Sequence, residues 1–226
     1  MGSPLMRSLL FAPLLLPLLV LSSAAQAGTV PEPCRRCYYY PERPQLRDPE
    51  LMRVTMLRGH NRERSQWRVP ALRWDEDLAA DAEGYARELA RTGTLRHSDR
   101  NSRPRPEGEN LWMGVRGAFT YEDMVDTFLD ERRYYVSRPL PDISSTGNWH
   151  DVGHYSQIIW RSTTAFGCGL ASSDQFDFLV CRYNPPGNVY GQRADVGDGD
   201  GGAPERALAS RDDRVRPSAS LSYGGF

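Results

Sequence analysis

Four histidines, at positions 60, 97, 150 and 154, are the side chains of this chain most suited to moving a proton or holding a metal near neutral pH. One carboxylate calls for one of them. Met124, Phe128, Glu131 and Tyr135 fall at i, i+4, i+7 and i+11, so Glu131 shares the face of an apolar helical stripe. A carboxylate turned toward a core must be paired, hydrogen-bonded or neutralised, and histidine is a natural partner. Spacing alone does not choose among the four.

Other arrangements carry less. Ser156 follows His154 by two residues, but a serine nucleophile also needs an oriented base and an oxyanion hole. Ser156 therefore reads as a hydroxyl satisfying local backbone. His150 and His154 stand four apart, as ligands on one helical turn would, yet Gly153 and the loop-like residues before it argue against a helix there. There is no His-Glu-x-x-His, Gly-x-Ser-x-Gly or phosphate loop. The run Asp195-Val-Gly-Asp-Gly-Asp-Gly-Gly lacks the ligand spacing and closing glutamate of an EF-hand and reads as a linker. His60 is expected to be a hydrogen-bonded core residue, Arg64 a structural ion-pair partner, and Trp160 and Trp74 core or cleft-wall aromatics.

The elements that must position these groups are partly visible. Asp48-Pro49 supplies an N-cap and first-turn proline for a helix to about Gln66. Leu78, Ala82, Tyr85 and Leu89 predict a second helix over 76–92. A third starts after Thr120, with Asp123 completing a capping-box pattern, and is expected to run to about Tyr135. Residues 109–115 predict a short strand, 137–151 a loop, and 176–183 a strand partnered by 167–171. Helices followed by strands, without alternation, predict an α+β fold over 48–192.

The four cysteines fit an oxidising compartment. A turn centred between Asp174 and Gln175 places Cys168 opposite Cys181 as a non-hydrogen-bonded cross-strand pair, where side chains approach most closely, so a disulfide is expected there. Cys34 and Cys37 lie in a Pro/Tyr-rich leader and are read as a local structural disulfide. Arg7, the apolar run 9–21 and Ala25-Gln26-Ala27 have the layout of a cleaved secretory signal over 1–27. An extended proline-rich leader over 28–47 follows, and a disordered tail is expected over 193–226. The apolar run is shorter than the roughly 20 residues of a spanning helix, and no later stretch could cross a membrane. The net charge is −1, so no strong field favours nucleic acid. All 28 basic residues are arginine, which excludes lysine Schiff-base and lysine general-base chemistry.

Two blocks carry a family resemblance: Gly153-His154-Tyr155-Ser156-Gln157-Ile158-Ile159-Trp160-Arg161, and Phe178-Leu179-Val180-Cys181-Arg182-Tyr183-Asn184-Pro185-Pro186-Gly187-Asn188-Val189-Tyr190. With Leu95-Arg96-His97-Ser98, Gly108-Glu109-Asn110-Leu111, His60-Asn61-Arg62-Glu63-Arg64 and Leu72-x-Trp74, they resemble the CAP superfamily of cysteine-rich secretory, antigen 5 and pathogenesis-related proteins. The resemblance covers about 51–191. It implies a three-layer α-β-α sandwich with a small antiparallel sheet, and a cleft holding His97, Glu109, Glu131 and His154.

Such a tetrad can bind zinc or another divalent cation, do acid/base chemistry, or lock helix three to the strands. The preferred reading is a secreted, non-catalytic binding module. The resemblance also implies a sterol or fatty-acid ligand and an extracellular protein partner, with the protein a monomer. The alternatives are a metal-dependent secreted peptidase using the same cleft, and an extracellular scaffold. The signal and simple composition point to a bacterial exported member, periplasmic or released to the medium.

Overall fold

The computed structural model describes residues 47–103 and 105–196. The signal segment, the leader up to residue 46 with Cys34 and Cys37, and the chain beyond Val196 lie outside the described residues.

Helix α1 spans Pro49–Gln66, its first turn capped by the Asp48 side chain, which accepts from Leu51 N at 2.7 Å. A two-residue strand, β1 (Arg73–Trp74), leads into α2 (Glu76–Thr92). Asp75 caps that helix by accepting from Leu78 N, and Gly93 ends it in the left-handed conformation at φ 66°. Leu78, Ala82, Ala86 and Leu89 form its buried face. Ala86 takes the inward place expected for Tyr85, which is half-buried.

Strand β2 (Gly108–Val115), helix α3 (Tyr121–Leu129), helix α4 (Gly153–Ile158) and strands β3 (Ala165–Ser172) and β4 (Phe176–Asn184) follow. The sheet order is β1-β3-β4-β2. The pairings β3–β4 and β4–β2 are antiparallel, and the short edge strand β1 joins β3 in parallel.

Helix α2 covers one face, where Ala82, Ala86 and Leu89 meet Leu111, Phe178 and Val180. The opposite face presents Trp112, Phe166, Leu179 and Tyr183 to Met56, Phe128, Tyr155 and Ile158 of α1, α3 and α4. These are the three layers of an α-β-α sandwich. Gly167 and Gly169 let α2 approach β3: a Cβ at either would come within 2.3 Å of the α2 backbone, at Ala79 and Glu83.

In the β3–β4 register Cys168 faces Cys181, and the two form a disulfide across a Cα–Cα distance of 4.1 Å. The bridge closes a loop with a sequence separation of 13 residues. Loop-closure entropy for such a length is about 3 kcal/mol. The double variant Cys168→Ala/Cys181→Ala is expected to lose about that much unfolding free energy, measured by urea titration under non-reducing conditions.

Three expectations are corrected. Helix α3 ends at Leu129 instead of near Tyr135, and residues 130–133 tighten into a 3₁₀ turn through Tyr134 N→Glu131 O (2.9 Å) and Tyr135 N→Arg132 O (3.2 Å). The segment 153–158 is helical despite Gly153, because Tyr155, Ser156, Gln157 and Ile158 are all buried and tertiary packing outweighs propensity.

The packed region also passes residue 192, where a tail was expected to begin. Ala194 is fully buried and accepts from Arg161 N, while Asp195 takes hydrogen bonds from Tyr135 Oη (3.3 Å) and Ser137 Oγ (2.7 Å). Arg47, the first described residue, bonds Phe119 O and the buried Asp177 carboxylate.

Candidate functional site

The structure arranges His97, Glu109, Glu131 and His154 as two histidine–carboxylate pairs. After Gly93 stops α2, the chain turns back toward β2 and places His97 beside Glu109, near the start of that strand. His97 Nδ1 lies 2.7 Å from Glu109 Oε1. The carboxylate is only 2% exposed, whereas the imidazole is 51% exposed.

Glu109 is saturated. Oε1 also accepts from Ser98 N (3.0 Å) and faces Arg103 at 3.3 Å, and Oε2 accepts from Ser98 Oγ (2.8 Å) and pairs with Arg182 at 3.0 Å. Burial opposes its charge, but the His97 hydrogen bond and the Arg182 and Arg103 guanidiniums prevail and hold its carboxyl below the usual range. Arg182 also binds Glu107, whose side chain is fully buried, at 3.1 Å, and Arg105 pairs with the same carboxylate at 2.9 Å.

The second pair is more open. The 3₁₀ turn puts Glu131 Oε1 2.5 Å from His154 Nδ1, while Oε2 accepts from Tyr155 N at 3.0 Å. The His154 ring stacks on Phe128 with centroids 4.8 Å apart and is 34% exposed. Burial disfavours the imidazolium, yet the Glu131 charge and hydrogen bond outweigh it and raise the His154 pKa above the ordinary histidine value.

Asn110 links the pairs. Side chains alternate along β2, so Glu109 faces the α2 side and Asn110 the α3/α4 side. The Asn110 amide donates to His154 O and to Tyr183 Oη, each at 3.1 Å. Tyr183 Oη lies 2.9 Å from His60 Nε2, and His60 Nδ1 lies 2.8 Å from Met56 O. A carbonyl only accepts, so Nδ1 carries the His60 proton and Nε2 accepts from Tyr183. His60 is thus a fully buried neutral imidazole, stacked on Phe166 at 4.2 Å, and burial lowers its pKa to about 3.

Arg64 departs from the expected ion pair. Its buried guanidinium donates to four backbone carbonyls: Pro70 O (2.6 Å), Ile158 O (2.8 Å), Trp160 O (2.8 Å) and Thr163 O (3.0 Å). Trp160 itself is a core residue, 2% exposed. Ser156 donates its one hydroxyl proton to Asn188 Oδ1 at 2.6 Å, with Gly153 O farther off at 3.2 Å, so its hydroxyl serves local structure. His150 stacks on Trp149 at 4.0 Å in a 3₁₀ turn over Trp149–Val152, while His154 turns toward Glu131.

Among the described residues, no three His, Cys, Asp or Glu side chains are gathered to hold a metal ion. The donor chemistry differs from four ligands in one ring. A carboxylate anion only accepts, so each imidazole of the two pairs donates Nδ1–H to its glutamate and keeps Nε2 as the lone-pair nitrogen. Carboxylate-backed histidine is the usual form of a metal-ligating imidazole. Each pair thus leaves one Nε2 lone pair as its available donor, with Glu109 and Glu131 as orienting partners.

Sequence reasoning did not single out Asn110, Arg103, Arg182 or Tyr183. Arg182 had a readable signal, since a charge inside the apolar run Phe178–Tyr183 must be paired, the same logic that isolates Glu131.

Comparison with known proteins places this arrangement. Residues 57–183 match the profile of CAP, the cysteine-rich secretory protein family. Pathogenesis-related protein 1C of Nicotiana tabacum is 34% identical over 137 residues, covering 60% of this chain and 76% of that protein. Protein PRY2 of Saccharomyces cerevisiae is 33% identical over 145 residues, covering 63% of this chain and 40% of that one. Among solved structures, BmVAL-1 aligns with a TM-score of 0.54 at 22% identity, over 68% of this chain and 85% of the other. The crystal structure of NaASP2 with Zn2+ aligns at 0.51 and 22%, over 68% and 88%. Both share the sandwich fold. With a family match spanning more than half its length and sequence relatives at this level, the chain belongs to the CAP family of cysteine-rich secretory proteins.

Proposed function

We propose that this chain is an exported CAP binding module that takes up a divalent cation of the zinc type through His97 and His154. The observation that carries this reading is the pairing of each imidazole with a carboxylate at Nδ1, at 2.7 Å and 2.5 Å, which leaves Nε2 as the basic nitrogen of both rings. NaASP2, which shares the fold, has been crystallised with Zn2+. Glu109, already filled by five donors, orients His97 and is not itself a ligand. Glu131, with two donors, does the same for His154. Export is supported by the signal-like segment 1–27, the Cys168–Cys181 disulfide and the secretory family. Among the described residues, no helix is long and apolar enough to cross a membrane.

Zinc titration by calorimetry tests the site. Wild type is expected to give a saturable isotherm that His97→Ala and His154→Ala each abolish. Glu131→Gln is expected to weaken it about 10- to 100-fold by releasing the ring it holds. Identical heats for wild type and the His97→Ala/His154→Ala double variant would sink the proposal.

A further inference from the structure

A second site lies on the α2 face. A cavity of about 370 Å³ opens between α2 and the segment that follows it, within the roughly 300–1,000 Å³ range of small-ligand pockets. Its floor is Gly84, at mid-helix and exposed, where an added Cβ would meet no atom within 4 Å. A glycine there weakens a helix relative to alanine, and no close approach of the protein's own atoms requires it. Its local effect is to leave open space in the cavity.

Tyr85 stands beside this floor. Its hydroxyl donates to Arg96 O at 2.8 Å, and the Arg182 guanidinium lies over its ring at 5.4 Å. Three carboxylates, Asp81, Glu88 and Asp99, and three guanidiniums, Arg96, Arg103 and Arg182, line the space. Arg103 and Arg182 are bound to Glu109, and Arg96 is paired with Glu88 at 2.7 Å. Each of these guanidiniums is thus already matched by a carboxylate. Arg182 Nε, buried in the wall, is a donor without a partner.

We propose that this cavity binds an uncharged saccharide of one or two rings. Vicinal hydroxyls both donate and accept, so they can bridge neighbouring carboxylates and guanidiniums without a charge to neutralise. The exposed part of the Tyr85 ring offers an apolar face to the C–H side of a pyranose. Gly84 provides the room for that ring to lie against the helix.

The test is a 1H–15N titration of the full chain with glucose, galactose, mannose, N-acetylglucosamine, cellobiose and maltose, with glucuronate and glucose 6-phosphate as charged probes. At least one neutral sugar is expected to shift the amides of Gly84, Tyr85, Arg96 and Ser98. Gly84→Gln is expected to weaken that binding by about tenfold or more, roughly 1.4 kcal/mol, and Gly84→Trp to abolish it. Gly84→Ala is expected to raise the thermal midpoint, which would separate lost binding in the larger variants from lost folding. The proposal is overturned if no neutral sugar shifts these amides, if only the charged sugars do, or if binding survives Gly84→Trp.

Discussion

Replacing Arg64 with alanine is expected to cost roughly 4–6 kcal/mol of unfolding free energy, a large share of the stability of an ordinary domain. The side chain is fully buried and gathers four carbonyls, from the turn after α1, from the last residue of α4 and from the segment between α4 and β3. Trp160 O keeps a second donor in Thr163 N, but the variant takes a charge-assisted bond from every one of the four. Each unsatisfied buried acceptor costs about 1–3 kcal/mol, and these costs are not strictly additive. Arg64→Met separates volume from hydrogen bonding: it fills the space yet leaves the carbonyls unmet, so it should be nearly as damaging as alanine. Arg64→Lys should recover part, because one ammonium cannot span a planar fan of acceptors. A loss below about 1 kcal/mol for Arg64→Met in urea unfolding would show that packing, not carbonyl capture, explains the site.

The second large effect is acid destabilisation through His60. Its folded pKa is near 3 against an unfolded value of 6.5. Unfolding therefore takes up a proton in that window. The stabilisation from the neutral buried ring is fully present above pH 6.5 and is lost as pH falls toward 3, at up to about 1.4 kcal/mol per pH unit. Over the whole window this amounts to roughly 5 kcal/mol.

Other shifted groups titrate elsewhere. Glu109, held below the carboxylate range, contributes stability that is lost only as pH falls below about 4.5. His154, raised by Glu131, contributes stability that is present at lower pH and lost as pH climbs above 6.5. Between about pH 4.5 and 6.5 the slope belongs chiefly to His60. Urea unfolding across this range is expected to show that slope in wild type and to lose it in His60→Asn, a weaker but folded variant. An unchanged slope in the variant would contradict the assignment.

These two residues show what could be read before the fold was known. His60 was expected in the core and Arg64 as structural, because both lie on the inward side of a helix whose caps, Asp48 and Pro49, are local signals. The β3–β4 register was legible for the same reason: a turn between Asp174 and Gln175 fixes every pair from Ser172↔Asp177 to Ala165↔Asn184.

What Arg64 binds was not legible, since its acceptors come from residues 70, 158, 160 and 163 and are backbone atoms that carry no residue preference. Helix α4 was missed because its stability comes from burial of Tyr155 and Ile158 against distant elements. Glu131 was identified by its phase on the apolar stripe, but the 3₁₀ turn that aims it at His154 leads into a distant pairing of Tyr135 with Ser144 that the sequence does not signal. The division of the tetrad into two pairs, joined through Asn110, depends on strand alternation at the start of β2 and only tertiary structure reveals it.

In the proposed site, Glu109 and Glu131 each hold an imidazole proton at Nδ1 and so present Nε2 of His97 and His154 to a ligand. Long-range 1H–15N spectra of the imidazoles, recorded at a pH where the rings are neutral, read this directly. Nδ1–H tautomers are expected for His97 and His154, with zinc-induced shifts of their Nε2 resonances while the buried His60 stays unchanged. An Nε2–H tautomer at either histidine, or zinc leaving both Nε2 signals in place, would contradict it.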